Sequence, residues 1–143
     1  MKKSIAITLP VRDLERSKAF FSALGFSFDP QFGSGHGCGM VVSDDIFVML
    51  CAESFFGTLT RKPMADPRTS TIALLCLFCD SRAEVDAVAS KALSLGATLP
   101  EDPQDHGFMY QHGFADLDGH MWALTHIEDA PARQPAEYAA VQI

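Results

Sequence analysis

Apolar residues along this chain alternate between a strand-like and a helix-like period, and the same series of switches occurs twice. Ile5, Ala6, Ile7 and Leu9 read as a strand that Pro10 limits, because proline donates no ladder hydrogen bond. Asp13 stands where a helix N-cap belongs. Leu14, Ser17, Phe20, Phe21 and Leu24 follow at helical spacing, and Gly25 supplies the stop. Phe26 to Phe32, Cys38 to Ser43 and Ile46 to Cys51 then read as three strands, separated by the glycine-rich stretch Gly33–Gly39 and by Ser43-Asp44-Asp45. The first unit is β-α-β-β-β.

After a connector from Glu53 to Ser70, with a short helix expected around Phe55–Leu59, the order begins again. Thr71 to Phe78 predicts a strand. Ser81 to Leu95 predicts a helix with Val85, Val88, Ala89, Ala92 and Leu95 on one stripe and Gly96 as its stop. Strands follow at Ala97–Leu99, about Gly107–Ala115 and His120–His126, and Asp116-Leu117-Asp118-Gly119 is a hairpin signal. Matching Asp13 with Asp80 and Leu24-Gly25 with Leu95-Gly96 makes the second helix four residues longer than the first. Two units in matching order indicate an internal duplication. The expected fold is α+β: tandem βαβββ modules forming a curved mixed β-sheet cleft with helices on the outside. The division expected is a single domain over 1–127, with modules at about 4–52 and 71–127 linked by 53–70 and a C-terminal tail over 128–143.

Charge narrows the function. The 143 residues carry a formal net charge of −7, and the 11 Lys and Arg are scattered, which argues against nucleic acid and against anionic membrane surfaces. No apolar run approaches the roughly 20 residues of a membrane span, and Pro10, Arg12 and Asp13 interrupt the N-terminal apolar stretch too early for a signal peptide. Cys38, Cys51, Cys76 and Cys79 sit mostly in strand-like runs, so they are expected as free thiols in a cytoplasmic protein.

Three segments carry a family resemblance. Leu9-Pro-Val-Arg-Asp-Leu-Glu-Arg-Ser-Lys-Ala-Phe-Phe-Ser-Ala-Leu-Gly25 resembles the opening of the glyoxalase/bleomycin-resistance/dioxygenase (vicinal oxygen chelate) superfamily. Phe114-Ala-Asp-Leu-Asp-Gly-His-Met-Trp122 resembles its closing hairpin, and Pro103-Gln-Asp-His-Gly-Phe-Met-Tyr110 is similar to an uncharacterised glyoxalase-like subgroup. The resemblance implies a U-shaped cleft and, in metal-dependent members, one His or Glu ligand on each of four strands. The first of these lies seven residues before the motif Asp, and that count falls on Ala6 and, from Asp80, on Ala73; the others correspond to Met49 and Ala123. None offers a side chain suited to a divalent cation. No metal and no cofactor is therefore expected.

Alternation then predicts what lines the cleft. Ala6 brings Thr8 to its face, Met49 brings Phe47 and Cys51, Ala73 brings Leu75 and Leu77, and Ala123 brings Met121 and Thr125. His106, Tyr110 and His112 share parity and predict a polar row beside this apolar set, with Tyr110 able to orient a ligand. Apolar faces of this kind also serve simply as core. His36, His120 and His126 read as surface or hairpin residues, and Cys76-x-x-Cys79 sends its thiols to opposite faces rather than to a redox site. Glu53 and Asp66, in the connector, could offer a general base at the cleft rim, although exposed carboxylates usually only solvate a surface. Three readings follow: a homodimeric protein binding a small apolar or aromatic molecule; a glyoxalase-like enzyme (lactoylglutathione lyase-like, an isomerase or a dioxygenase) with a relocated metal or acid–base pair; or a structural or regulatory dimer.

Overall fold

Each half of the described chain folds its apolar strands into one four-stranded sheet. A computed structural model describes residues 2–128. The chain divides into two compact units, Met1–Ser70 and Thr71–Ile143. The expectation for the tail from Glu128 lies, beyond that residue, outside the described residues.

Unit 1 contains β1 (Ile5–Val11), α1 (Leu14–Ala23), β2 (Ser27–Asp29), a 3-10 turn (Pro30–Phe32), β3 (Gly37–Ser43), β4 (Ile46–Ala52) and α2 (Glu53–Phe56). The sheet order is β1-β4-β3-β2, with β1 parallel to β4 and the other pairs antiparallel. Asp13 caps α1 by accepting the Arg16 N–H at 3.1 Å, and Gly25, at φ 106°, lets the chain leave the helix. Leu9 and Val11 of β1, Met40 of β3 and Val48 and Leu50 of β4 are buried, as are Phe20 and Phe21 of α1. The two phenyl rings meet edge to face at 5.0 Å. The strand expected over Phe26–Phe32 stops at Asp29. Pro30 removes a ladder donor and opens the 3-10 turn, and Asp29 caps that turn through the Gln31 N–H at 2.9 Å.

Unit 2 contains β5 (Leu74–Phe78), α3 (Arg82–Ser94), β6 (Gln104–Asp105), β7 (Met109–Ala115) and β8 (Met121–Ile127), in the sheet order β5-β8-β7-β6. Its parallel pair is β5–β8. The strand expected at Ala97–Leu99 is a single bridge, Thr98 to Ala115, and the short β6 takes the edge position instead. The cap of α3 is Ser81, whose hydroxyl accepts the Glu84 N–H at 3.0 Å, while the Glu84 carboxylate accepts the Asp80 N–H at 2.9 Å. Ser81 is thus the counterpart of Asp13, not Asp80. The helices have 10 and 13 residues, a difference of three rather than four.

The hairpin before β8 is organised by buried Asp116. One carboxylate oxygen accepts the backbone N–H groups of Asp118 and His120, each at 3.0 Å; the other accepts the Trp122 indole N–H at 3.0 Å. Burial pushes the Asp116 carboxyl above its ordinary range. At the far end of β7, Arg82 donates to Asp105 at 2.8 Å, to Glu128 at 3.1 Å and to the Gly107 carbonyl at 2.9 Å. It thereby ties α3 to both sides of the sheet end.

Candidate functional site

Register decides which side chains share a face. In unit 1, Thr8 lies beside Met49 and Ala6 beside Phe47, so these four occupy the face opposite the α1 core. Gly37 and Gly39 of β3 fall in the same rows, against Cys51 and Met49. Above this face the 3-10 turn, the loop 33–36 and α2 enclose a pocket of about 340 Å³ bordered by Thr8, Phe32, His36, Met49, Cys51 and Phe55. Phe32, His36 and Phe55 are its aromatic lining, with Phe47 supporting Phe32 from outside the lining. Phe32 meets Phe47 with centroids 5.3 Å apart at 49°, and His36 stacks on Phe55 at 4.6 Å and 9°. The loop is held in place by its backbone: the Ala52 N–H donates to the His36 carbonyl at 2.8 Å, and the Ser34 N–H to the Gly37 carbonyl at 2.9 Å.

The polar content of this pocket is small. No Lys, Arg, Asp or Glu is among its described lining residues. Burial pushes the Cys51 thiol up, so it remains a neutral, weak donor, reaching the Ala52 carbonyl at 3.6 Å, rather than a nucleophilic thiolate. Thr8 supplies a hydroxyl on the pocket floor.

In unit 2 the register divides the predicted site residues between two faces. Leu74 pairs with Met121 and Cys76 with Ala123, whereas Leu75 pairs with Trp122 and Leu77 with Leu124. Leu75 and Leu77 therefore lie on the face that carries Trp122 and Leu124, not with Met121 and Ala123 as the count from Asp80 predicts. Ala73 precedes β5 and is exposed. The reason is the one-residue difference between Asp80 and the true cap Ser81: it shifts the strand, and a one-residue shift exchanges every side chain between faces.

Tyr110 and His112 pair with His126 and Leu124 and share the Leu75–Leu77 face. Tyr110 is committed to α3: its hydroxyl donates to Asp86 at 2.6 Å, and the Arg82 guanidinium lies 5.2 Å from its ring centre. That hydrogen bond, more than burial, raises the phenol above its ordinary value. His106 is exposed in the turn before β7, so the polar row is not continuous.

A second pocket, of about 400 Å³, lies on the Met121–Ala123 face of unit 2. Leu74, Met121 and Ala123 give it an apolar floor; Glu101, Asp102, Gln104 and Gln111 give it a polar rim, and His112 borders it. Buried Thr125 accepts the Gln111 amide at 3.2 Å and lies 3.2 Å from Cys76, which orients that wall.

The strand positions that the resemblance assigns to metal ligands hold Ala6, Met49 and Ala123, with Leu74 rather than Ala73 as the register counterpart of Ala6. Met49 offers only a thioether and the others no donor, so these residues do not fit a divalent metal. Among the described residues no group of three or more His, Cys, Asp or Glu could hold one.

Sequence reasoning missed the Phe32, His36 and Phe55 walls. The signal available was Gly33–Gly39 read as a hairpin tip over the cleft, together with Pro30, which ends β2 early enough to fold Phe32 back.

Tandem βαβββ units with these registers define the glyoxalase/bleomycin-resistance class of fold. Residues 3–43 match the family described as bleomycin resistance protein-like N-terminal. No curated protein matches the chain. Among solved structures, it is similar to the hypothetical protein SA1046 from S. aureus (25% identity, TM-score 0.75, 88% of this chain and 95% of that one). It is also similar to a glyoxalase/bleomycin resistance protein/dioxygenase family enzyme from Burkholderia phytofirmans PsJN (18%, TM-score 0.73, 85% and 96%). A third is TnmS3, an antibiotic binding protein from Streptomyces sp. CB03234 (21%, TM-score 0.64, 90% and 98%). The chain shares the fold of the glyoxalase/bleomycin resistance/dioxygenase structures, and its first 43 residues include the match to the bleomycin resistance protein-like N-terminal family. No helix among the described residues is long and apolar enough to cross a membrane.

Proposed function

We propose that this protein binds a small, flat, apolar or aromatic molecule without a metal, using the unit 1 pocket. The observation that carries this reading is the pairing of an aromatic wall, Phe32 (backed by Phe47) and His36 stacked on Phe55, with a floor of Thr8 and Met49 where metal-dependent relatives are expected to hold ligands. Ligand sites of this kind are largely hydrophobic with a few polar anchors. Thr8 is the anchor, and the absence of Lys and Arg from the lining disfavours anions. Phe32 and Phe55 are 46% and 37% exposed, so a ligand covering them removes apolar surface from water. The antibiotic-binding description of TnmS3 fits the same reading.

The chain works as a homodimer in this proposal. Support comes from β5, which among the described residues pairs only with β8 and leaves Leu74 and Phe78 63% and 62% exposed. Light scattering should give twice the chain mass; a monomer mass at micromolar concentration rejects the dimer without touching the pocket.

A thermal-shift screen of neutral bicyclic aromatics tests the binding. A ligand at 100 times its Kd adds about 2.7 kcal/mol, or about 2–8 °C in Tm. Met49→Trp should fill the pocket and remove the shift; a screen in which no compound moves Tm refutes the reading.

A further inference from the structure

We propose that Gly39 is a notch that seats Phe32, and that this pair shapes the unit 1 pocket for an uncharged ring system that stacks on Phe32. The inference rests on the binding reading above and assigns the residues that set its selectivity. Gly39 is buried in the middle of β3, opposite Met49 on one side and Asp29 on the other. It is not among the glycines with positive φ, so its backbone would accept any residue. What excludes a side chain is contact. A Cβ at this position would lie 2.6 Å from Phe32 Cβ, 3.4 Å from Phe32 Cγ and 3.2 Å from Met49 Sδ.

The first of these contacts is the decisive one. Phe32 Cβ moves only with its backbone, and that backbone is the 3-10 turn closed by the Asp29 cap at 2.9 Å and by the Gly33 N–H to the Pro30 carbonyl at 3.3 Å. The turn folds the chain back so that Phe32 rests directly on the sheet where Gly39 leaves room. Seated there, its ring meets Phe47 at 5.3 Å and still leaves 46% of the residue exposed while lining the pocket. A half-exposed phenyl fixed from beneath is a preformed stacking surface, which lowers the ordering cost of binding. With no Lys, Arg, Asp or Glu among the described lining residues, the surface selects uncharged rings.

The test combines Gly39→Ala, Phe32→Gly (which removes the opposing Cβ) and the double variant with the neutral fluorophore N-phenyl-1-naphthylamine and with melting curves. Saturable binding by the wild type is expected, weakened at least about tenfold by Gly39→Ala because the turn lifts and the stacking surface is lost. Gly39→Ala should also lower Tm, yet cost little in the Phe32→Gly background, which removes the opposing Cβ and leaves the mobile end of Met49 as the neighbour. Should Gly39→Ala fail to fold, recovery of folding in the double variant supports the seat and continued failure overturns it. Unchanged fluorophore affinity in Gly39→Ala, or an equal Tm loss in both backgrounds, overturns the proposal. A wild type that ignores the fluorophore while the Tm coupling persists sinks the binding reading and the ligand class, and leaves the seat supported.

Discussion

Replacing Asp116 with Asn changes one oxygen to an amide in a buried carboxylate that accepts three hydrogen bonds, and the geometry sets the expected cost. The side chain can keep one oxygen for the backbone N–H groups of Asp118 and His120 at 3.0 Å. Its new NH2 then faces the Trp122 indole N–H, formerly donated to the carboxylate at 3.0 Å, and two donors oppose each other beside a residue only 2% exposed. A mispaired buried donor costs about 1–3 kcal/mol. The wild-type carboxylate itself is held at a desolvation cost, since burial pushes its titration upward, and Asn removes that cost. The opposing effects leave a net loss of about 1–2 kcal/mol, with pairing the larger because three donors converge on the group. Denaturant unfolding at pH 7 measures it as a fall in midpoint with an unchanged slope. In the Trp122→Phe background the donor conflict is gone, so Asp116→Asn should cost markedly less. An equal cost in both backgrounds would refute the reasoning.

Further consequences follow from the register and the end-of-sheet cluster. Gly113→Ala would place a Cβ 2.5 Å from the Trp122 carbonyl oxygen, a backbone atom that cannot move aside, so a loss of about 1–3 kcal/mol or more is expected by chemical denaturation. Ala73→Trp should be nearly silent, within about 0.5 kcal/mol, because Ala73 is exposed ahead of β5; a large loss would restore it to the strand. Arg82→Met should lower Tm at neutral pH. Arg82 holds Asp105 and Glu128 below their ordinary carboxylate range, so its stabilisation is present above the unfolded-state values and fades as pH falls through the depressed ones. The Tm difference between Arg82→Met and wild type should therefore shrink in acid, and a constant difference would contradict the pairing.

The duplication was legible because its markers are local: two apolar strands, two stripes of helical period, two Leu-Gly stops and the Asp-Leu-Asp-Gly hairpin. Thr8, Phe47 and Met49 also fall on one face by simple alternation, since β1 and β4 run without interruption up to their shared rows. The unit 2 face was not legible. Asp80 and Ser81 are both good cap residues, and only the hydrogen bonds at Glu84 show which one caps. A one-residue ambiguity there exchanges Leu75 and Leu77 for Leu74 and Cys76. Tyr110 likewise carries no sequence mark of its partner, because Asp86 meets it only when α3 packs on β7. The aromatic walls needed the 3-10 turn at Pro30, where a rigid φ and a capping Asp override the β-propensity of Phe26–Phe32.

The central claim is that unit 1 holds a ligand pocket for a flat apolar molecule. Two-dimensional NMR of the labelled protein, titrated with the tightest neutral aromatic from the thermal screen, tests it most directly. Saturable shifts should cluster on Thr8, Phe32, His36, Met49, Cys51 and Phe55, with one equivalent bound per chain. Shifts that never saturate, or that gather on Met121, Ala123 and Gln111 while Thr8 and Met49 stay still, would contradict it.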